Sequence, residues 1–156
     1  MTATTDSTDL RSLITPDLFG RLTERITSDH GIEAPMAERI VHQALAFLVT
    51  CARTPGAGLA PSTSVDTGWH VFLMYTREYA EFCHRVAGRF IHHRPNDRKD
   101  SGEAGSGPER IGATVAAMRA AGMPVDTGLW IPATKCSQCY AGCADDPRTT
   151  DHPSGV

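Results

Sequence analysis

The sequence has no basic excess. Its 156 residues carry 15 Lys and Arg against 18 Asp and Glu, a formal net charge of -3. Sequence-independent binding of phosphate backbones draws on a surplus of cations, so nucleic acid is not an expected partner. Long apolar runs are also missing. No stretch approaches the roughly 20 residues that span a bilayer, and the opening MTATTDSTDL is polar and acidic where a secretory signal would be basic and then apolar. The expectation is a cytoplasmic protein with no membrane association, whose partner is another protein or a small molecule. Strand signals are scarce, because apolar and polar residues never alternate for long and the β-branched residues fall at helical spacing. There is no nucleophile elbow, phosphate-binding glycine loop or dinucleotide fingerprint. No solenoid repeat is visible either, and VDTG at 65–68 and again at 125–128 is too short to imply duplication. An even cysteine count is lacking as well. Three of the five cysteines crowd into CSQCYAGC, which is unlike a distributed disulfide framework. In a reducing compartment such clustering points to metal or redox chemistry.

What remains is an ordinary globular composition, 40% hydrophobic and 21% charged, in a chain of single-domain length. The expected fold is mainly α, a small bundle of about four helices with an irregular, cysteine-containing C-terminal segment. A flexible tail is expected over 1–14. Thr15 then suits an N-cap, with Pro16 at the first helical position, Asp17 favourable to the dipole, Leu18, Leu22 and Ile26 at helical spacing, and Gly31 as the stop. The second helix opens near Pro35 and carries Met36, Ile40, Ala44, Phe47, Leu48 and Cys51 on one face, the strongest period in the chain. A loop over 54–64 ends on an N-cap residue.

The third helix is predicted over 65–86, with Trp69, Phe72, Thr76, Tyr79, Cys83 and Val86 on one face and Gly88 as terminator. It closes a core domain at 15–93. A mobile linker over 94–107 follows. The region 108–145 holds a fourth helix, with Ile111, Val115 and Met118 inward and Gly122 at its end, and the cysteine cluster packing on the same domain. A second flexible tail is expected over 146–156.

Two clusters carry the chemistry. On the third helix Asp66 and His70 lie one turn apart, and His84 lies close to four turns further on, so all three share an edge that also holds Arg77 and Glu81. A carboxylate one turn from an imidazole can fix its tautomer, strengthen its other nitrogen as a ligand, or bind metal directly. His92 and His93 follow the Gly88 turn, where a reversing chain brings one of them back to the helix. Adjacent side chains on an extended segment point to opposite faces, so one of the two is expected at the site, and which one is left open. The same residues also admit plain structural roles, with Asp66 complementing the helix N-terminus, His70 half-buried and satisfied, and His84 solvated.

The stretch 65–95, VDTGWHVFLMYTREYAEFCHRVAGRFIHHRP, resembles the VDxxWHxFxxxTxxYxxFC…GRFIHHxP pattern of bacterial glycine-rich domain-containing protein-like proteins, relatives of the plant glycine-rich domain proteins. The positions that carry the resemblance are Asp66, Trp69, His70, Thr76, Tyr79, Phe82, Cys83, Gly88, His92 and His93. It implies a recurrent helical module with Asp and His at its centre, and it brings no reaction with it. The chain departs from the family name, since its tail holds a cysteine cluster in place of a long glycine-rich tract.

That cluster, Cys136, Cys139 and Cys143, reads CxxCxxxC, and two residues between thiolates let both reach one tetrahedral ion. A closed structural zinc site needs a fourth ligand, for which His92, His93, His152, Cys83 and Cys51 are candidates. Zinc is the leading cofactor, with iron or an iron–sulfur cluster and a dithiol couple as alternatives. Cys51 and Cys83 lie on apolar faces and read primarily as small core hydrophobes. Three functions compete. The first is a metal-binding helical module with a structural or protein-interaction role. The second is a small metal-dependent enzyme in which Asp66, His70 and one of His92 or His93 hold the ion while Tyr79 or Glu81 assists proton transfer. The third is a thiol-based redox or metal sensor working through CxxCxxxC.

Overall fold

A computed structural model describes residues 8–94 and 107–130. Cys136, Cys139, Cys143, His152, the tail 146–156 and nearly all of the expected linker lie outside the described residues. Among the described residues the chain is mainly helical and has no strand. The order is α1 (Thr8–Arg11), α2 (Pro16–His30), α3 (Ala34–Arg53), α4 (Thr63–Met74), α5 (Thr76–Ala87), α6 (Gly107–Ala120) and α7 (Thr127–Trp130). No helix among these residues is long and apolar enough to cross a membrane.

Local signals place the ends of α2. The Leu18 N–H donates to Thr15 Oγ1 at 3.1 Å, Pro16 opens the helix, and Gly31 closes it in the left-handed conformation at φ 66°. Leu18, Phe19, Leu22 and Ile26 make its buried face. Upstream, Leu10 and Ile14 are buried too, so part of the segment expected as a loose tail is anchored by two apolar side chains.

α3 is the central element. From Gln43 to Thr50 every residue is buried, because α2, α4, α5 and α6 all pack around it. Both of its ends are less covered, and Met36, expected on the apolar face, is 37% exposed. Gly68 of α4 sits directly against α3, where a methyl group in its place would lie 2.8 Å from Ile40 Cγ2 and 3.2 Å from Ala44 Cβ. Close approach of the two helix axes depends on that missing side chain.

The predicted helix over 65–86 is two helices. α4 begins earlier than expected, with the Val65 N–H donating to Ser62 Oγ at 3.2 Å, and it stops at Tyr75, whose backbone (φ -92°, ψ 68°) is the C-cap of α4 and the N-cap of α5. The Tyr75 N–H bonds back three residues to the Phe72 carbonyl at 3.0 Å, and the Tyr75 carbonyl then starts α5 by accepting from the Tyr79 N–H at 2.8 Å. No proline or glycine marks the break, so the period alone reads through it. The gain from bending is tertiary. Tyr79 folds back onto α4, where its ring meets Phe72 edge-to-face at 5.1 Å and its hydroxyl accepts from Trp69 Nε1 at 2.9 Å. In one straight helix residues ten apart are separated by about 15 Å of rise, which rules that bond out. Thr76, expected inward, is consequently exposed.

α6 meets the core through Val115 and Met118, as the spacing predicts, and through Thr114. The Thr114 hydroxyl donates to the Ala60 carbonyl at 2.8 Å and accepts from the Ala60 N–H at 3.0 Å, which pins the loop before α4. The stretch after Gly122, which shows no period in sequence, also packs: Met123, Leu129 and Trp130 are buried. Gln43 holds it there. Its Oε1 accepts from Trp130 Nε1 at 2.7 Å and from the Asp126 N–H at 3.1 Å, while its Nε2 donates to the Pro124 carbonyl at 3.2 Å.

Candidate metal centre

Asp66 lies in the first turn of α4 and His70 one turn later, on the same face. Their side chains meet, with His70 Nε2 3.3 Å from Asp66 Oδ2. After α5 the chain turns at Gly88, left-handed at φ 67°, and runs back without helical structure over 89–94. This return delivers His93. Its Nε2 lies 2.7 Å from Asp66 Oδ1 and 2.8 Å from His70 Nε2. Asp66, His70 and His93 thus offer three donor atoms around one point, and no other described His, Cys, Asp or Glu joins the group.

A short relay fixes the return segment. Trp69 Nε1 donates to Tyr79 Oη, which in turn donates to the Ile91 carbonyl at 2.7 Å. Ile91 is buried, and the His93 ring lies against the Trp69 indole at 4.4 Å between centroids. The relay ties together α4, α5 and the backbone two residues before His93. Sequence reasoning placed Trp69 and Tyr79 on an apolar face; the signal for more was that each carries a polar atom that needs a partner once buried.

A neutral imidazole nitrogen is either a donor or an acceptor, and an ionised carboxylate only accepts. If His93 Nε2 and His70 Nε2 both carry protons toward Asp66, two N–H groups confront each other across 2.8 Å. If only His93 carries one, the bare His70 nitrogen faces a carboxylate oxygen at 3.3 Å. With Asp66 ionised, every assignment of the imidazole protons leaves one of the three contacts unfavourable. A cation bound to all three lone pairs removes the conflict. A tetrahedral zinc with bonds of about 2.0–2.1 Å holds its ligand atoms about 3.3 Å apart, so the two His93 contacts at 2.7 and 2.8 Å need to widen by about half an ångström. The donor set, two imidazoles and a carboxylate, suits a borderline divalent ion.

Exposure grades across the site. The His93 side chain is 15% exposed, Asp66 35% and His70 58%. The inner wall is Trp69 and the His93 ring, and the outer edge, at His70, meets solvent.

The other expected site residues are elsewhere. His84 is exposed near the end of α5, because the break at Tyr75 ends the stripe it was assigned to, and Arg77 and Glu81 are exposed on the same helix. His92 is exposed and rests on the Phe90 ring at 4.8 Å, the opposite outcome to its neighbour. Tyr79 is fully buried and both hydroxyl functions are occupied, and burial pushes its pKa above the ordinary phenol range. Cys83 is buried in the core. Cys51 is half-buried, and burial pushes its thiol up to about 12, which keeps it protonated and a poor ligand.

No curated protein and no solved structure matches this chain. One family does, over residues 12–107, a span that exceeds half of the sequence and contains α2 to α5 and all three donor residues. The chain belongs to the UCP032817-like family.

Proposed function

We propose that the protein is a divalent-metal-binding helical module, with zinc as the leading ion, in which Asp66, His70 and His93 are the ligands and the metal cross-links α4 to the segment that follows α5. The observation that carries this reading is the convergence of three donor atoms from two separate parts of the chain. A structural or protein-interaction role follows from the cross-link. The exposed edge at His70 favours a second reading, a small metal-dependent enzyme, because catalytic centres keep a coordination position free where structural ones close it.

Metal content decides the first reading. Protein purified without added metal and then equilibrated with zinc is expected to hold about one equivalent at this centre. His93→Ala and His70→Ala should each lose it while Cys139→Ser keeps it. Retention by both histidine variants, or loss in Cys139→Ser alone, would move the binding to the cysteines and defeat the assignment.

A further inference from the structure

Resting on the metal-binding reading, we propose that the centre takes a small anionic oxygen donor, a carboxylate or hydroxamate, as an exchangeable ligand on its solvent side. Three observations lead there. His93 Nε2 lies 2.7 Å from Asp66 Oδ1 and 2.8 Å from His70 Nε2, and His70 Nε2 lies 3.3 Å from the other carboxylate oxygen, Oδ2. Three protein donors fill three positions of a tetrahedral ion and leave the fourth to another ligand. In tetrahedral coordination that fourth position points away from the other three.

The free side is the wet one. His93 backs onto Trp69, whereas His70 is 58% exposed, and among the described residues no fourth His, Cys, Asp or Glu reaches the group. Charge selects the occupant. Two neutral imidazoles and one carboxylate leave a divalent ion with one net positive charge at the surface, which favours an anion over a neutral molecule of the same shape. Oxygen donors suit a borderline ion already held by nitrogen and oxygen.

The test uses the full chain loaded with cobalt(II) as a spectroscopic stand-in for zinc. Acetohydroxamate should shift the visible cobalt bands saturably at one equivalent, at a concentration about tenfold or more below any effect of neutral acetamide, since charged ligands bond more strongly. His70→Ala should show no cobalt bands. Cobalt bound with bands that acetohydroxamate does not move would overturn the proposal, as would equal responses to the two ligands. An intense thiolate-to-cobalt charge-transfer band, abolished in Cys139→Ser, would overturn it by showing that cysteine already fills the position. Failure of the wild type to bind cobalt or zinc at all would defeat the metal-binding reading itself.

Discussion

A methyl group at Gly68 has nowhere to go. It would meet the Ile40 side chain at 2.8 Å and the Ile40 backbone carbonyl at 3.2 Å, and the carbonyl belongs to a buried central helix that cannot yield. Glycine inside a helix ordinarily costs about 1 kcal/mol relative to alanine, so Gly68→Ala would be stabilising on propensity alone. Overpacking reverses the sign. We expect Gly68→Ala to lose about 1–3 kcal/mol in urea unfolding. A gain in stability would mean that α3 and α4 are not in close contact. At the same scale His92 and His93 show what adjacency hides. The sequence says that neighbours on an extended strand of chain face opposite ways, and they do. It could not say which one faces Asp66, because that depends on where the backbone enters after Gly88 and on Ile91 being the residue that sinks into the core.

Among elements, the break at Tyr75 decides most. With α4 and α5 as one rod, Asp66, His70 and His84 would share an edge, and His93 would emerge far from the first two. Bending at Tyr75 lets α5 fold back, so that the Tyr79 hydroxyl lies between the Trp69 indole and the Ile91 carbonyl. Tyr79→Phe keeps the ring and deletes that link. It leaves the Trp69 N–H without its acceptor, at a cost of about 1–3 kcal/mol. Because the lost bond also held the backbone beside His93, zinc affinity should fall about 10–100-fold, as is usual when groups supporting a ligand are removed. Isothermal titration beside a thermal melt separates the two effects. Unchanged affinity with a lowered melting temperature would reduce the relay to a purely structural bond.

At the scale of the molecule, α3 is the post on which everything hangs, and Gln43 is its polar fastening. One side-chain amide satisfies the Trp130 indole, the Asp126 N–H and the Pro124 carbonyl, and Arg39 adds two bonds to the Asp126 carboxylate at 2.7 and 2.8 Å. Gln43→Leu removes the acceptor from two donors at once. A loss of about 2 kcal/mol or more is expected, with hydrogen exchange accelerating first in 123–130. Uniform exchange across the chain would show that this stretch is not a separable unit. The Arg39 bond holds the Asp126 carboxyl below its usual range. A depressed carboxyl stabilises the fold above its unfolded pKa and ceases to as pH falls through the folded value, so the fastening should weaken only in strong acid.

The sequence by itself determined the helical class, the ends of α2 at Thr15 and Gly31, the turn at Gly88, the inward residues Val115 and Met118, and the pairing of Asp66 with His70. All of these follow from periodicity and from conformational preferences that act within a few residues. Only the tertiary structure decided the bend at Tyr75, the choice of His93 over His92, the burial of Tyr79 and the docking of Trp130 on Gln43. Each joins groups at least ten residues apart along the chain, and such contacts are selected by the buried area and satisfied polar atoms of the whole fold, quantities that no local window contains.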